Sequence, residues 1–147
     1  MSLKFAQGLY KLKNPDKYVG LGTPRYRSSW EFAVMKMLDE NPGIQQWASE
    51  SIKIPYKDPL TGKNTIYVPD FLVVYIDKKQ KKHAELWEIK PKSQAVLEAV
   101  GKSKYNQAHY VRNMAKWEVA RAWCKQKGLL FRVINEEDLF HQGGKRR

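Results

Sequence analysis

Two apolar runs set the architecture of this chain: Thr65-Ile-Tyr-Val-Pro69-Asp70-Phe-Leu-Val-Val-Tyr-Ile76, and His83-Ala-Glu-Leu-Trp87-Glu88-Ile89-Lys90. Between them lies the polar turn Asp77-Lys-Lys-Gln-Lys-Lys82. The first run is apolar on both faces, and such strands lie inside a sheet with other layers packed over each side. The short charged turn between the runs predicts an antiparallel hairpin.

Asp70 interrupts the first run, and Glu88 and Lys90 interrupt the second. In a hairpin closed by residues 77 to 82, facing positions have numbers that total about 159, and 70 and 88 total 158. The two carboxylates are therefore nearly opposite, with Cβ atoms roughly 5 Å apart. The period of two puts Lys90 on the face of Glu88. Like charges facing each other destabilise a hairpin, so a cation between them is implied. Mg²⁺ (or Mn²⁺) suits, because such ions take carboxylate oxygens while keeping several waters. The ion would acidify a water and offset charge building on a phosphate, with Lys90 stabilising that phosphate or orienting the water. The alternative is a strand-edge ion pair in which Lys90 merely neutralises the carboxylates.

Moving upstream, Asp58-Pro-Leu-Thr-Gly-Lys63 turns the chain, preceded by Ile52, Ile54 and Tyr56 in strand alternation. Before that, Trp30, Ala33, Val34, Met37 and Leu38 recur at helical spacing from Ser28, and Asn41-Pro42-Gly43 ends the helix. Ser28-x-x-Glu31 is a capping box, in which Glu31 would reach back to the Ser28 amide. Glu31 also borders the buried stripe, so it can face the sheet and join the site. Residues 1–27 form a basic arm broken by Gly8, Pro15, Gly20, Gly22 and Pro24.

Downstream, Pro91 stops the strand, and Ser93 to Ala99 reads as a short helical piece before Gly101. A long helix follows from about Asn106 to Lys127, with Ala108, Val111, Ala115, Val119 and Ala122 on one face and Gly128 as C-cap. Leu129 to Ile134 is a last strand, Asn135 to Phe140 a final turn, and residues 141–147 a flexible basic tail. The order α, β, β, β, α, β predicts an α/β fold, a mixed sheet flanked by helices in three layers. Residues 28–140 would form its one domain.

Lys plus Arg number 27 against 15 Asp plus Glu, a formal charge of +12, which favours nucleic acid but also fits acidic proteins or membrane surfaces. Lys102, Lys104, Arg112, Lys116, Arg121 and Lys125 are candidates to track a phosphate backbone. Cys124 is the lone cysteine, which excludes an intrachain disulfide and a thiolate zinc cluster and fits a reducing compartment. No apolar stretch is long enough for a membrane span. His83, His109 and His141 are scattered, Thr61-Gly-Lys63 lacks the glycine of a P-loop, and no Ser sits in a nucleophile elbow. No small-molecule cofactor is expected.

At Pro69-Asp70 and Glu88-Ile89-Lys90, with Glu31 on an upstream helix, the sequence resembles the PD...(D/E)xK nucleases. Within them it is similar to the branch of transposon-encoded endonuclease subunits and head-completion nucleases of T-even-type tailed phages, the phage group being the nearer likeness. Arg27-Ser-Ser-Trp-Glu-Phe32, Asn113-Met-Ala-Lys-Trp-Glu-Val-Ala-Arg-Ala-Trp123 and Phe131-Arg-Val-Ile-Asn-Glu-Glu137 carry that likeness beside the motif. It implies a restriction-endonuclease-like core acting on double-stranded DNA. Asp70 and Glu88 would be metal ligands with the Ile89 carbonyl, Lys90 the catalytic lysine and Glu31 a further acidic residue. It also implies virion assembly in the host cytoplasm or on the virion, with portal or head proteins as partners. Gln107 and Tyr110 echo the Gln-and-Tyr motif of exonuclease relatives, but at a spacing of three, and ordinary helix surface explains them. Two rivals stay open: a non-catalytic head-completion protein on a nuclease fold, and a plain basic DNA-binding module indifferent to Mg²⁺.

Overall fold

The computed structural model describes residues 7–91, 101, 103–135, 137 and 138. The short helical piece at 93–99, the tail at 141–147 and half of the turn at 135–140 lie outside these residues, as do Lys102 and His141. Strands β1 (Gly8–Leu9) and β2 (Arg25–Tyr26) pair with each other and enclose a 3₁₀ turn at Pro15–Lys17. Helix α1 (Ser29–Glu40) is followed by β3 (Ile44–Ser49), β4 (Ile54–Lys57), β5 (Asn64–Tyr67), β6 (Phe71–Ile76) and β7 (Lys82–Ile89). Helix α2 (Lys104–Lys127) and β8 (Leu130–Ile134) complete the described elements.

The central sheet runs β3-β6-β7-β8, with β6 antiparallel to both β3 and β7, and β7 parallel to β8. It is the expected mixed sheet. The hairpin forms where the charged turn requires it: Asp77 Oδ1 accepts from the amides of Lys79 and Lys81, and Gln80 takes the left-handed conformation with φ 66°. Its register runs from Ile76 opposite Lys82 to Phe71 opposite Trp87, so Asp70 and Glu88 are the next residues beyond the last pair.

Two cores follow from the alternation. On one face Phe71, Val73, Ile89 and Ile134 pack with Val34, Met35 and Leu38 of α1 and with Ile44 and Trp47. On the other, Leu72, Leu86 and Phe131 pack with Trp117, Ala120 and Cys124 of α2 and with Ile54, Tyr56 and Tyr67. The layers are therefore α1, the sheet, and α2 beside the β4–β5 hairpin.

Four expectations need correction. Strand β3 was not anticipated, yet it forms the sheet edge beside β6. The run from Thr65 to Ile76 is two strands, because Pro69 has no N–H to give a ladder; β5 pairs with β4 in a separate hairpin, and only β6 joins the sheet. On α1 the buried residues are Val34, Met35, Leu38 and Asp39, while Met37 is 39% exposed. On α2 they are Asn113, Trp117, Ala120 and Cys124, with Val111 41% exposed. Each buried stripe includes a polar residue, Asp39 on α1 and Asn113 on α2, that a count of apolar positions skips.

The arm folds back over α1. Asp39, fully buried, accepts from the Tyr10 hydroxyl at 2.9 Å and from the amides of Lys13 and Asn14 at 2.8 and 3.0 Å. Burial alone would raise its carboxyl pKa; these donors win and hold it below the usual range.

Candidate active site

Asp70 sits in the bend between Tyr67 and β6, where Pro69 ends one strand and the next begins. Its Oδ2 accepts from the Ile89 amide at 2.7 Å, and its carbonyl accepts from the Glu50 amide at 2.9 Å. The side chain is thus pinned across the hairpin onto β7. Glu88, 6% exposed, projects to the α2 side of the sheet. Its Oε1 accepts from the Tyr67 hydroxyl at 2.7 Å, and its Oε2 lies 3.3 Å from Lys90 Nζ. Lys90 is itself fixed by its amide, which donates to the Ile134 carbonyl at 2.9 Å.

The electrostatics follow from this placement. Burial, and then the charge of Glu88, push the Asp70 carboxyl well above its ordinary range, and the Ile89 amide only partly offsets them. Burial also pushes Glu88 up, against the pull of Lys90 and Tyr67. Two neighbouring carboxylates that both resist ionisation describe a place that wants a cation. The donors are hard oxygens, and the Ile89 carbonyl belongs to the same segment. Among the described residues no group of three or more His, Cys, Asp or Glu side chains stands ready to enclose a metal. An ion here would complete its shell with a carbonyl, water and substrate oxygens, which is how Mg²⁺ binds; the residues fit such an ion.

Glu31 faces this pair from the first turn of α1. Ser28 Oγ caps the helix by accepting from the Glu31 amide at 3.1 Å, as expected. The return bond differs: Glu31 Oε1 accepts from the Arg27 amide at 2.8 Å, one residue before the Ser28 amide anticipated for it. Burial raises its pKa, and the charges of Glu50 and Glu88 add to the rise. Its charge in turn contributes to the rise at Asp70. Glu50, in the left-handed region at φ 51°, ion-pairs with Arg27 at the rim.

Two further side chains reach the site from α2. Burial, followed by the charge of Lys90, lowers the pKa of Lys116, whose ammonium lies 5.6 Å from the Tyr67 ring centroid. His109, one helical repeat earlier, is lowered by burial and by Lys90, Arg112 and Lys116. The helix therefore brings a lysine and a histidine to the side of the sheet where Glu88 lies. The other basic residues of the helix divide. Arg112 pairs with Asp58, Arg121 lies over Phe131, and Lys104 and Lys125 are exposed. Gln107 binds the Gly101 carbonyl at the helix surface, outside the site. The sequence singled out Asp70, Glu88, Lys90 and Glu31; Lys90 contacts Glu88, Asp70 bonds the adjacent Ile89 amide, and Glu31 is near enough for its charge to act on Asp70. Tyr67, Lys116 and His109 were not among them; Tyr67, an aromatic three residues before the aspartate, was the one with a local signal.

The family model for the TnsA-like endonuclease N-terminal domain matches residues 41–136. The head completion nuclease of Enterobacteria phage T4 is 31% identical over 144 residues, covering 90% of this chain and 92% of that protein.

Proposed function

The chain belongs to the family of TnsA-like endonuclease N-terminal domains, and on that premise we propose that it is a divalent-metal-dependent endonuclease hydrolysing phosphodiester bonds in double-stranded DNA. Its catalytic centre is Asp70, Glu88, Lys90 and Glu31, with Asp70, Glu88 and the Ile89 carbonyl holding Mg²⁺ or Mn²⁺. One observation supports this most: Asp70, just before β6, is bonded to the Ile89 amide next to Glu88, and Lys90, two residues after Glu88, contacts its carboxylate.

The ion, when bound, supplies Lewis-acid charge at the phosphate and makes a water acidic. The protein does the rest. Asp70 and Glu88 are held in place by bonds to the Ile89 amide and the Tyr67 hydroxyl, so little reorganisation accompanies substrate binding. The Lys90 ammonium donates to a phosphate oxygen as negative charge grows on it. Glu31, whose carboxyl burial raises above its ordinary range and so makes the more basic when ionised, takes the proton of the attacking water. The water oxygen bonds to phosphorus while the bond to the leaving sugar oxygen breaks.

By extension from the name of the T4 relative, we place this activity in phage head completion, in the host cytoplasm or on the virion, with portal or head proteins as partners. The +12 charge suits a polyanionic substrate.

The test is to incubate the protein with linear and supercoiled duplex DNA, with Mg²⁺ or a chelator, beside folded Asp70→Ala and Lys90→Ala variants. Cleavage by the unmodified protein alone, and only with metal, is expected. Cleavage that survives both substitutions would refute the site; binding without cleavage in every form would favour a structural role.

A further inference from the structure

Glu88 is the most buried acid of the site, and its two oxygens have different partners. Lys90 lies 3.3 Å from Oε2, whereas Oε1 takes a 2.7 Å bond from the Tyr67 hydroxyl. Tyr67 is 3% exposed and packs with Phe131, Trp117 and Leu86, so its ring has little freedom. It ends β5, in a hairpin outside the central sheet. Three residues later in the same connection Asp70 grips the Ile89 amide. The segment 67–70 therefore clamps the Glu88-Ile89 dipeptide at two points, one on the side chain and one on the backbone.

We propose that Tyr67 is a positioning residue for the reaction: its hydroxyl fixes the Glu88 carboxylate so that Oε2 is presented to the cation and to Lys90. A carboxylate on a glutamate stem rotates freely about its last bond unless one oxygen is tied. Partners of this kind behind a ligand typically change metal affinity by about 10–100-fold. The ammonium of Lys116 lies 5.6 Å from the ring centroid, a further contact that holds the ring in place. A purely structural tyrosine would need only a partner for its hydroxyl. Here that partner is the acid on which the site depends. The inference rests on the reading of Glu88 as a metal ligand.

Tyr67→Phe keeps the packed ring and deletes only the hydroxyl. Calorimetric titration with Ca²⁺, which needs no turnover, is compared among the unmodified protein, Tyr67→Phe and Glu88→Gln, each first shown by thermal melting to be folded. Ca²⁺ affinity is expected to fall about 10–100-fold in Tyr67→Phe and to vanish in Glu88→Gln. In Mg²⁺-dependent cleavage, Tyr67→Phe is expected to lower kcat with KM for DNA unchanged. Loss in Glu88→Gln but near-normal Ca²⁺ affinity in Tyr67→Phe would overturn the inference alone. Unchanged affinity in Glu88→Gln would overturn the metal reading and the inference with it.

Discussion

Neutralising Asp70 is expected to stabilise the metal-free protein while abolishing cleavage. Asp70 and Glu88 follow directly on the Phe71–Trp87 pair, and residues opposite each other in such a pair have Cβ atoms roughly 5 Å apart. Two unit charges at that distance repel by about 3 kcal/mol at an effective dielectric constant near 20. Lys90 and the Tyr67 hydroxyl offset part of this at Glu88. A net strain of about 1–2 kcal/mol remains, felt either as repulsion or as the work of keeping one carboxyl protonated. Asp70→Asn removes the charge but keeps an oxygen for the Ile89 amide, so the melting temperature in chelator at neutral pH should rise by roughly 2–8 °C. The pH dependence has a definite sign. Both carboxyls have raised pKa values in the folded state, so between the unfolded value near 4 and the raised value the native protein binds more protons than the unfolded chain. Stability in chelator therefore falls as pH rises through that window, and Asp70→Asn flattens the fall. Added Ca²⁺ should restore stability to the unmodified protein and leave the variant nearly unaffected. Melting of Asp70→Asn at or below the unmodified protein, in chelator at neutral pH, would refute the argument that the acids are held together under strain.

Three other substitutions probe the frame around the site. Glu85, 3% exposed, accepts from Tyr75, Trp87 and Arg132, and Glu85→Ala would remove the acceptor of all three; because Arg132 is half exposed and can turn to water, a loss of about 1–3 kcal/mol by urea denaturation is expected, with cleavage retained below the melting transition. Burial pushes the Glu85 carboxyl up, but Arg132, Trp87 and Tyr75 hold it below its usual range, so this contribution disappears as pH falls through the carboxylate range, opposite in sign to that of Asp70. Asp39→Ala removes the acceptor for Tyr10, Lys13 and Asn14, and trypsin should then cut at Lys11, Lys13 or Lys17 about tenfold faster. Ser28→Ala should cost about 1 kcal/mol of stability through the lost cap and lower kcat by displacing Glu31, both measurable on one preparation.

The hairpin was legible because period-two alternation, a charged turn and three intruding charges all pointed the same way. Its register was within one residue of that expected, and Asp70 and Glu88 come directly after its last pair. Strand β3 was hidden because the pairing shifts between Ile44 and Gln46, and a bulge destroys alternation: Gln45 and Gln46 are both exposed, Trp47 and Ala48 both buried. The stripe of α2 was hidden for another reason, since Asn113 holds a core position that an apolar count skips. The acidic and lysine residues of the site are close in sequence or on a helix with a clear border. Tyr67 and Lys116 are joined only through the packing of the β4–β5 hairpin on α2, which no local pattern encodes.

The parallel pairing of β7 with β8 also sets an order of events during folding. The β6–β7 hairpin joins residues as near as Ile76 and Lys82, whereas Glu85 meets Leu130 across 45 residues. Closing the longer loop costs more chain entropy and waits on α2. The opposed acids therefore come together early, in a hairpin they weaken, while the Ile134 carbonyl that seats the Lys90 amide arrives last. A chain still emerging from the ribosome, with residues beyond about 100 not yet available, has its two acids and its lysine but no β8 to hold them. The Lys90 amide thus gains its carbonyl partner only when the C-terminal third has folded.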